Sequence, residues 1–185
     1  VTMRLCELAL DAGIPPGVLN VVTGTGAEAG EALARHMDVD IMTFTGSGLV
    51  GRMLLKASAE SNLKRVYLEL GGKSPNIVFS DATDLAQAAK VSALGIYRNS
   101  GQVCVAGSRL LVQREVHDEF VERLHNIAAK LRVGDPLDVS TEIGAVSSAR
   151  QLAKNLAAVQ TAQNEGARLV VGGQALHPIE GGNYM

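Results

Sequence analysis

The sequence predicts an α/β fold built on parallel strands and laid out in two successive pieces. Short apolar runs alternate with longer segments of helical period, strand, helix, strand, helix, strand, between Val18 and Leu70. Spacing this short favours parallel neighbours joined by right-handed crossovers. In addition, glycines 24, 26, 46, 71 and 72 all fall just beyond the apolar runs. That is the carboxyl edge of a parallel sheet, where such folds bind ligands.

The elements follow in order. Residues 2–12 read as a helix stopped by Gly13, with Pro15 and Pro16 beyond it, a combination that ends helices. Val18–Val22 is an apolar run suited to a buried strand. The stretch Gly24-Thr25-Gly26-Ala27-Glu28-Ala29-Gly30 opens a helix running to about His36. Ile41–Phe44 is a second strand, and a helix over 48–61 carries Val50, Met53, Leu54 and Ala57 on one face. Arg65–Leu70 is a third strand, ending in Gly71-Gly72. A second piece starts after Pro75: a strand over Asn76–Phe79, a helix over 84–97, a loop from Asn99 to Gly107 and a strand over Ser108–Gln113. Val116, Phe120, Val121, Leu124, Ile127, Ala128 and Leu131 then form one helical stripe over 115–131. Gly134-Asp135-Pro136 is a turn, 148–165 a helix capped by Gly166, and Leu169–Val171 a last strand. The boundary between the two pieces falls near Gly71–Pro75.

Charge and composition remove several functions. Seventeen Lys and Arg against nineteen Asp and Glu leave a net charge of -2, and aromatics are only 3%. Neither the charge that draws proteins to phosphate backbones nor the stacking surface for bases is present, so nucleic acid is not an expected partner. No apolar run approaches the ~18 residues of a membrane span, and no signal sequence is visible, so a cytoplasmic or otherwise reducing compartment is expected. Cys6 and Cys104 form no CxxC pair, and the four histidines lack ligand spacing; no metal site is expected.

Several motifs could carry chemistry, and each has an ordinary reading beside it. Gly24-x-Gly26-x-x-x-Gly30 would let a phosphate approach a helix N-terminus, where free N–H groups and the helix dipole favour anions. It misses the dinucleotide fingerprint GxGxxG by one residue, and a tight strand-to-helix turn explains it equally well. Phe44-Thr45-Gly46-Ser47-Gly48-Leu49-Val50-Gly51 repeats the pattern at the next strand; there Ser47 either caps the helix or binds a phosphate. Gly71-Gly72-Lys73-Ser74 is not a P-loop, because that motif needs glycine where Tyr67 stands. Glu69 is a lone carboxylate in an apolar run, which is either a poised base or a strand-end residue facing water. Cys104, in Asn99-Ser100-Gly101-Gln102-Val103-Cys104-Val105-Ala106-Gly107-Ser108-Arg109, has small neighbours that would leave room for a substrate. A thiol there is either a nucleophile or a small buried hydrophobe. Cys6, beside Leu5 and Leu8 on a helix, fits the second description.

Taken together, these segments are specific. Leu68-Glu69-Leu70-Gly71-Gly72-Lys73-Ser74-Pro75, followed by Gly101-Gln102-Val103-Cys104 with Ser108-Arg109, resembles the two active-site motifs of the NAD(P)-dependent aldehyde dehydrogenases. Phe44-Thr45-Gly46-Ser47 resembles the family's cofactor loop, and Pro16–Val22 and Gly134-Asp135-Pro136 resemble two further landmarks in the right order. The resemblance covers nearly the whole chain. It implies that residues 1–70 are the later part of a Rossmann-like cofactor-binding domain and residues 71–185 the early part of an α/β catalytic domain. It also implies oxidation of a small-molecule aldehyde to an acid with NAD or NADP, by a homo-oligomeric parent, dimer or tetramer. Cys104 would be the nucleophile and Glu69 the base that activates water, which favours hydrolysis over transfer to coenzyme A. Gly26, Gly30, Phe44, Gly46, Ser47, Val50, Leu70 and Gly71 would line the dinucleotide.

One position departs from the family pattern: Gly48 stands where Thr is usual. The resemblance further implies that an oxyanion-hole asparagine and a Lys-Pro segment belong upstream of the stretch that starts at Val1. A ribose-binding glutamate and the oligomerisation strands belong downstream of the stretch that ends at Met185. A preorganised oxyanion donor contributes about 10²–10³ in rate, so the chain by itself is expected to be an incomplete site. The alternative is a non-catalytic nucleotide-binding or assembly module of the same ancestry.

Overall fold

Residues 1–185 are all described by the computed structural model, and they form two units, Val1–Leu70 and Gly71–Met185. Each unit has its own pair of parallel strands and its own core.

The first unit opens with helix α1 (Thr2–Asp11). It ends as the glycine predicts: Gly13 takes φ 90°, and the Ile14 N–H reaches back to the Ala9 carbonyl at 3.0 Å. A left-handed residue here satisfies carbonyls that the helix leaves free. A π-turn at Gly26–Gly30 leads into α2 (Glu31–Arg35). Strand β1 (Ile41–Gly46), helix α3 (Gly48–Ala59) and strand β2 (Arg65–Leu70) follow. β1 and β2 pair in parallel from Ile41 opposite Arg65 to Gly46 opposite Leu70. Met42, Phe44, Val66 and Leu68 point to one face and pack with Ala34, Leu54 and Ala57. The period of two in the strands and the apolar stripe of α3 therefore meet at one seam.

In the second unit β3 (Pro75–Val78) pairs in parallel with β4 (Arg109–Val112), and α4 (Leu85–Tyr97) is the crossover. Helix α5 (Arg114–Ala128) packs against α4 and β4, and α6 (Ala149–Asn164) follows a long irregular segment. Phe120 of α5 is 0% exposed and anchors a core with Val78 and Ala89. Asp84 and Ser148 cap α4 and α6, accepting from the Gln87 and Gln151 N–H groups. No helix is long and apolar enough to cross a membrane.

Two expected strands are absent. Val18–Val22 is irregular, with Val18 and Val22 each 69% exposed, and Leu169–Val171 is irregular and largely exposed as well. Both have the composition of strands, but a strand exists only by exchanging hydrogen bonds with a neighbour, and neither segment is paired with a strand within these 185 residues. The helix expected to reach residue 131 ends at Ala128. Its last turn tightens, with the Lys130 and Leu131 N–H groups bonding three residues back to Ile127 and Ala128.

Candidate functional site

In the first unit the parallel register brings two of the sequence motifs to one edge. Thr45 lies opposite Glu69 and Gly46 opposite Leu70, so the cofactor-loop motif and the carboxylate leave adjacent strands side by side. Glu69 alternates with the half-buried Leu68 and Leu70 and faces away from α3, exposed. Gly46 is required by its neighbour, since a Cβ there would collide with the Phe44 ring. Phe44 itself is half-buried in the core beneath the loop rather than on its open surface. Ser47 is the N-cap of α3, its hydroxyl accepting from the Val50 N–H at 3.3 Å. Its hydroxyl is thus engaged by its own helix and its carbonyl accepts from the Gly51 N–H at 2.9 Å, while the Gly48 and Leu49 N–H groups have no intrahelical acceptor.

The glycine-opened turn at Gly26–Gly30 leads into α2, which packs on α3. The far end of α2 is bound to the far end of α3: Arg35 donates to Glu60 at 3.0 Å, and the buried Lys64 Nζ donates to the Ala34 carbonyl at 2.6 Å. Those carboxyl-terminal ends are thereby joined near the start of β2. Gly26, Gly30 and Gly71 have open space where a side chain would be.

In the second unit, Cys104 is an exposed free thiol. It sits in a tight turn closed by the Ala106 N–H donating to the Val103 carbonyl at 3.1 Å. Pairing of β3 with β4 carries this turn back onto the Gly71–Pro75 motif. The Arg109 guanidinium donates to the Lys73 carbonyl at 3.0 Å and the Arg109 N–H to the Ser74 carbonyl at 3.2 Å. A Cβ on Gly72 would lie 3.4 Å from the Cys104 carbonyl oxygen, and one on Gly107 only 3.2 Å from the Asn76 Cβ. Gly72 thus lies in ordinary contact with the Cys104 backbone, and Gly107 fits closely against the Asn76 side chain. Within the second unit, Gly72, Lys73 and Ser74 therefore meet the Cys104–Arg109 segment, although about thirty residues separate them.

Sequence reasoning did not reach the residues that brace this turn from a distance. Ser100 Oγ donates to the Gly144 carbonyl at 2.8 Å, and the Ser147 N–H donates to Gln102 Oε1 at 2.9 Å. Gly144 and Ser147 carry no motif of their own. No group of three or more His, Cys, Asp or Glu side chains is arranged to hold a metal ion.

The aldehyde dehydrogenase family model matches residues 1–185. The chain is 50% identical over 170 residues to aldehyde dehydrogenase family 2 member C4 of Arabidopsis thaliana, covering 92% of this chain and 34% of that protein. It is 55% identical over 142 residues to the NADP/NAD-dependent aldehyde dehydrogenase PuuC of Escherichia coli K12, covering 77% of this chain and 29% of that protein. Among solved structures, an indole-3-acetaldehyde dehydrogenase complexed with NAD+ superposes with a TM-score of 0.96 at 47% identity, over 99% of this chain and 37% of that one. The aldehyde dehydrogenase KauB of Pseudomonas aeruginosa gives 0.96 at 46%, over 99% and 37%. The chain thus spans about a third of the length of the curated relatives it matches. On a family match over its whole length and identities near one half, the chain belongs to the aldehyde dehydrogenase family.

Proposed function

We propose that the protein containing this chain oxidises an aldehyde to a carboxylic acid with NAD+ or NADP+, using Cys104 as nucleophile and Glu69 as base. The observation that carries the reading is the exposed Cys104 thiol on a tight turn that lies against the Gly71–Ser74 motif. The Cys104 thiolate attacks the aldehyde carbonyl carbon and forms a thiohemiacetal. The dinucleotide, when bound, supplies the acceptor for the hydride lost as that adduct becomes a thioester. Glu69 takes a proton from water, which adds to the thioester carbonyl; the C–S bond breaks, and the acid and the free thiol are released.

A dinucleotide suits the first unit. Two helices open with glycines, Gly26 and Gly30 have unfilled space beside them, and parallel strands end together at Gly46 and Leu70. Gly46, Ser47 and Val50 would face its phosphates through the first turn of α3, with Leu70 and Gly71 nearer the nicotinamide. Phe44 would contribute from below, by fixing the loop that Gly46 makes. In this reading residues 1–70 are the later part of the cofactor-binding domain and 71–185 the early part of the catalytic domain. A cytoplasmic homo-oligomer, dimer or tetramer, belongs to the same proposal and rests on the family alone.

The test is Cys104→Ala in the full-length enzyme. Turnover is expected to fall by several decades, with dinucleotide binding unchanged. Turnover retained by this variant would remove Cys104 from the chemistry. Glu69→Gln separates the second half of the reaction: a first turnover of reduced cofactor should persist, while steady-state release of acid collapses.

A further inference from the structure

Between α4 and the Cys104 turn the backbone makes an uncommon reversal. Asn99, Ser100 and Gly101 take φ of 52°, 56° and 72° in succession. Glycine adopts this region freely, and asparagine tolerates it. L-residues visit it mostly one at a time, so a run that includes a serine persists only where its surroundings over-determine it.

The surroundings do so with bonds of two kinds. Within the reversal, the Gln102 N–H and Gln102 Nε2 both donate to the Asn99 carbonyl, at 3.1 and 3.2 Å, and Asn99 Nδ2 donates to the Gln102 carbonyl at 3.1 Å. From outside, Ser100 Oγ donates to the Gly144 carbonyl, and the Ser147 N–H donates to Gln102 Oε1, across 44 and 45 residues of chain. The segment that supplies these outer partners is itself fixed: Val146 is buried at 4% exposure, and its N–H donates to the Asn183 carbonyl at 2.7 Å. The Gln102 amide thus joins the reversal to an anchored strut with one end and to Asn99 with the other.

Cys104 follows two residues later and its side chain is exposed. No packed wall orients an exposed side chain, so the direction of its Cα–Cβ bond is inherited from the backbone that precedes it. We propose that Gln102 and Ser100 are positioning residues for the Cys104 thiol, and that the segment Gly144–Ser147 is the strut against which they hold it. The proposal rests on the reading of Cys104 as nucleophile. Gln102 acts with both of its polar ends, so a side chain of the same length without them should leave the fold in place and the thiol misaimed.

The experiment uses the full-length enzyme with Gln102→Met, which keeps length and volume and removes both polar atoms, and with Ser100→Ala, which removes only the bond to Gly144. Three quantities are read per mole of folded protein: kcat, the rate of Cys104 alkylation by iodoacetamide followed by peptide mapping, and the NAD+ dissociation constant. Gln102→Met is expected to lower kcat by about 10- to 100-fold, the scale of a small misplacement of a reacting group. Alkylation should slow in parallel and NAD+ affinity should hold, whereas a purely structural role would alter the folded fraction and leave these per-mole rates alone. Ser100→Ala should show the same pattern more weakly. Values of kcat and alkylation within about two-fold of wild type in both variants overturn the proposal. If Gln102→Met does not fold, Ser100→Ala decides alone. Turnover surviving Cys104→Ala is the separate result that overturns the nucleophile reading beneath it.

Discussion

Gly51 offers the sharpest test of how packing in the first unit governs the candidate base. Helix α3 passes β2 so closely that a Cβ at Gly51 would lie 3.0 Å from Leu70 Cδ2, 3.3 Å from Leu68 Cδ1 and 3.4 Å from Leu70 Cδ1. Two effects oppose each other on substitution. Glycine inside a helix is worse than alanine by about 1 kcal/mol, so alanine gains that much and leucine nearly as much. Against it stands the closed seam. For Gly51→Ala the only atoms in the way are the ends of two flexible leucines, which need to yield by a few tenths of an ångström; the two effects should roughly cancel. Gly51→Leu gains about the same from propensity but forces three more carbons into the seam, at a cost of about 1–3 kcal/mol. The expected net loss is up to about 2 kcal/mol. The helix can relieve the overlap only by moving off β2 at Leu70, the residue next to Glu69. Full-length Gly51→Leu should therefore unfold at lower urea than wild type and turn over more slowly in steady state. Gly51→Ala should match wild type in both. A Gly51→Leu enzyme as stable and as active as wild type would refute the reasoning, because the seam would then have slack that the distances deny.

Further outcomes follow from other contacts, each read on the full-length enzyme. Phe120, fully buried between α5 and the β3–β4 pair, should cost about 3–5 kcal/mol as Phe120→Ala in urea unfolding, and markedly less as Phe120→Leu; equal losses would mean that the site collapses around the cavity. Lys64→Met would strand the Ala34 carbonyl, which accepts from Lys64 Nζ, and should destabilise by about 1–3 kcal/mol; a neutral effect would show that water reaches the carbonyl. The Glu60 carboxyl is held below the usual glutamate range, first by its hydrogen bond from Arg35. A lowered native pKa stabilises above the unfolded value and the benefit is lost as pH falls through the native one. Both side chains are exposed, so the effect is small. The stability gap between wild type and Glu60→Gln should thus be present at neutral pH and close on acidification below the ordinary glutamate range; a gap that widens there has the wrong sign.

Much of the fold was legible because its signals are local. The apolar run of Arg65–Leu70, the stripe on α5 and the stops at Gly13 and Gly166 act within a turn or two of chain. Short strand-to-helix spacing carried the parallel pairing as well, since the crossover leaves little choice of direction. The family motifs around Glu69 and Cys104 were readable for the same reason: each is a contiguous string.

Only the tertiary structure decided what lies beside what. Val18–Val22 and Leu169–Val171 have the composition of strands, yet strand identity depends on a neighbour that composition does not contain. Ser47 caps its own helix, its hydroxyl accepting from the Val50 N–H, which leaves its own proton to donate elsewhere. Phe44 belongs to the loop motif in sequence and to the core in space. The brace on the Cys104 turn comes from Gly144 and Ser147, more than forty residues downstream, through a backbone carbonyl and a backbone N–H. Every residue except proline carries both of those groups, so nothing in the side-chain sequence marks which ones the fold will bring to the nucleophile.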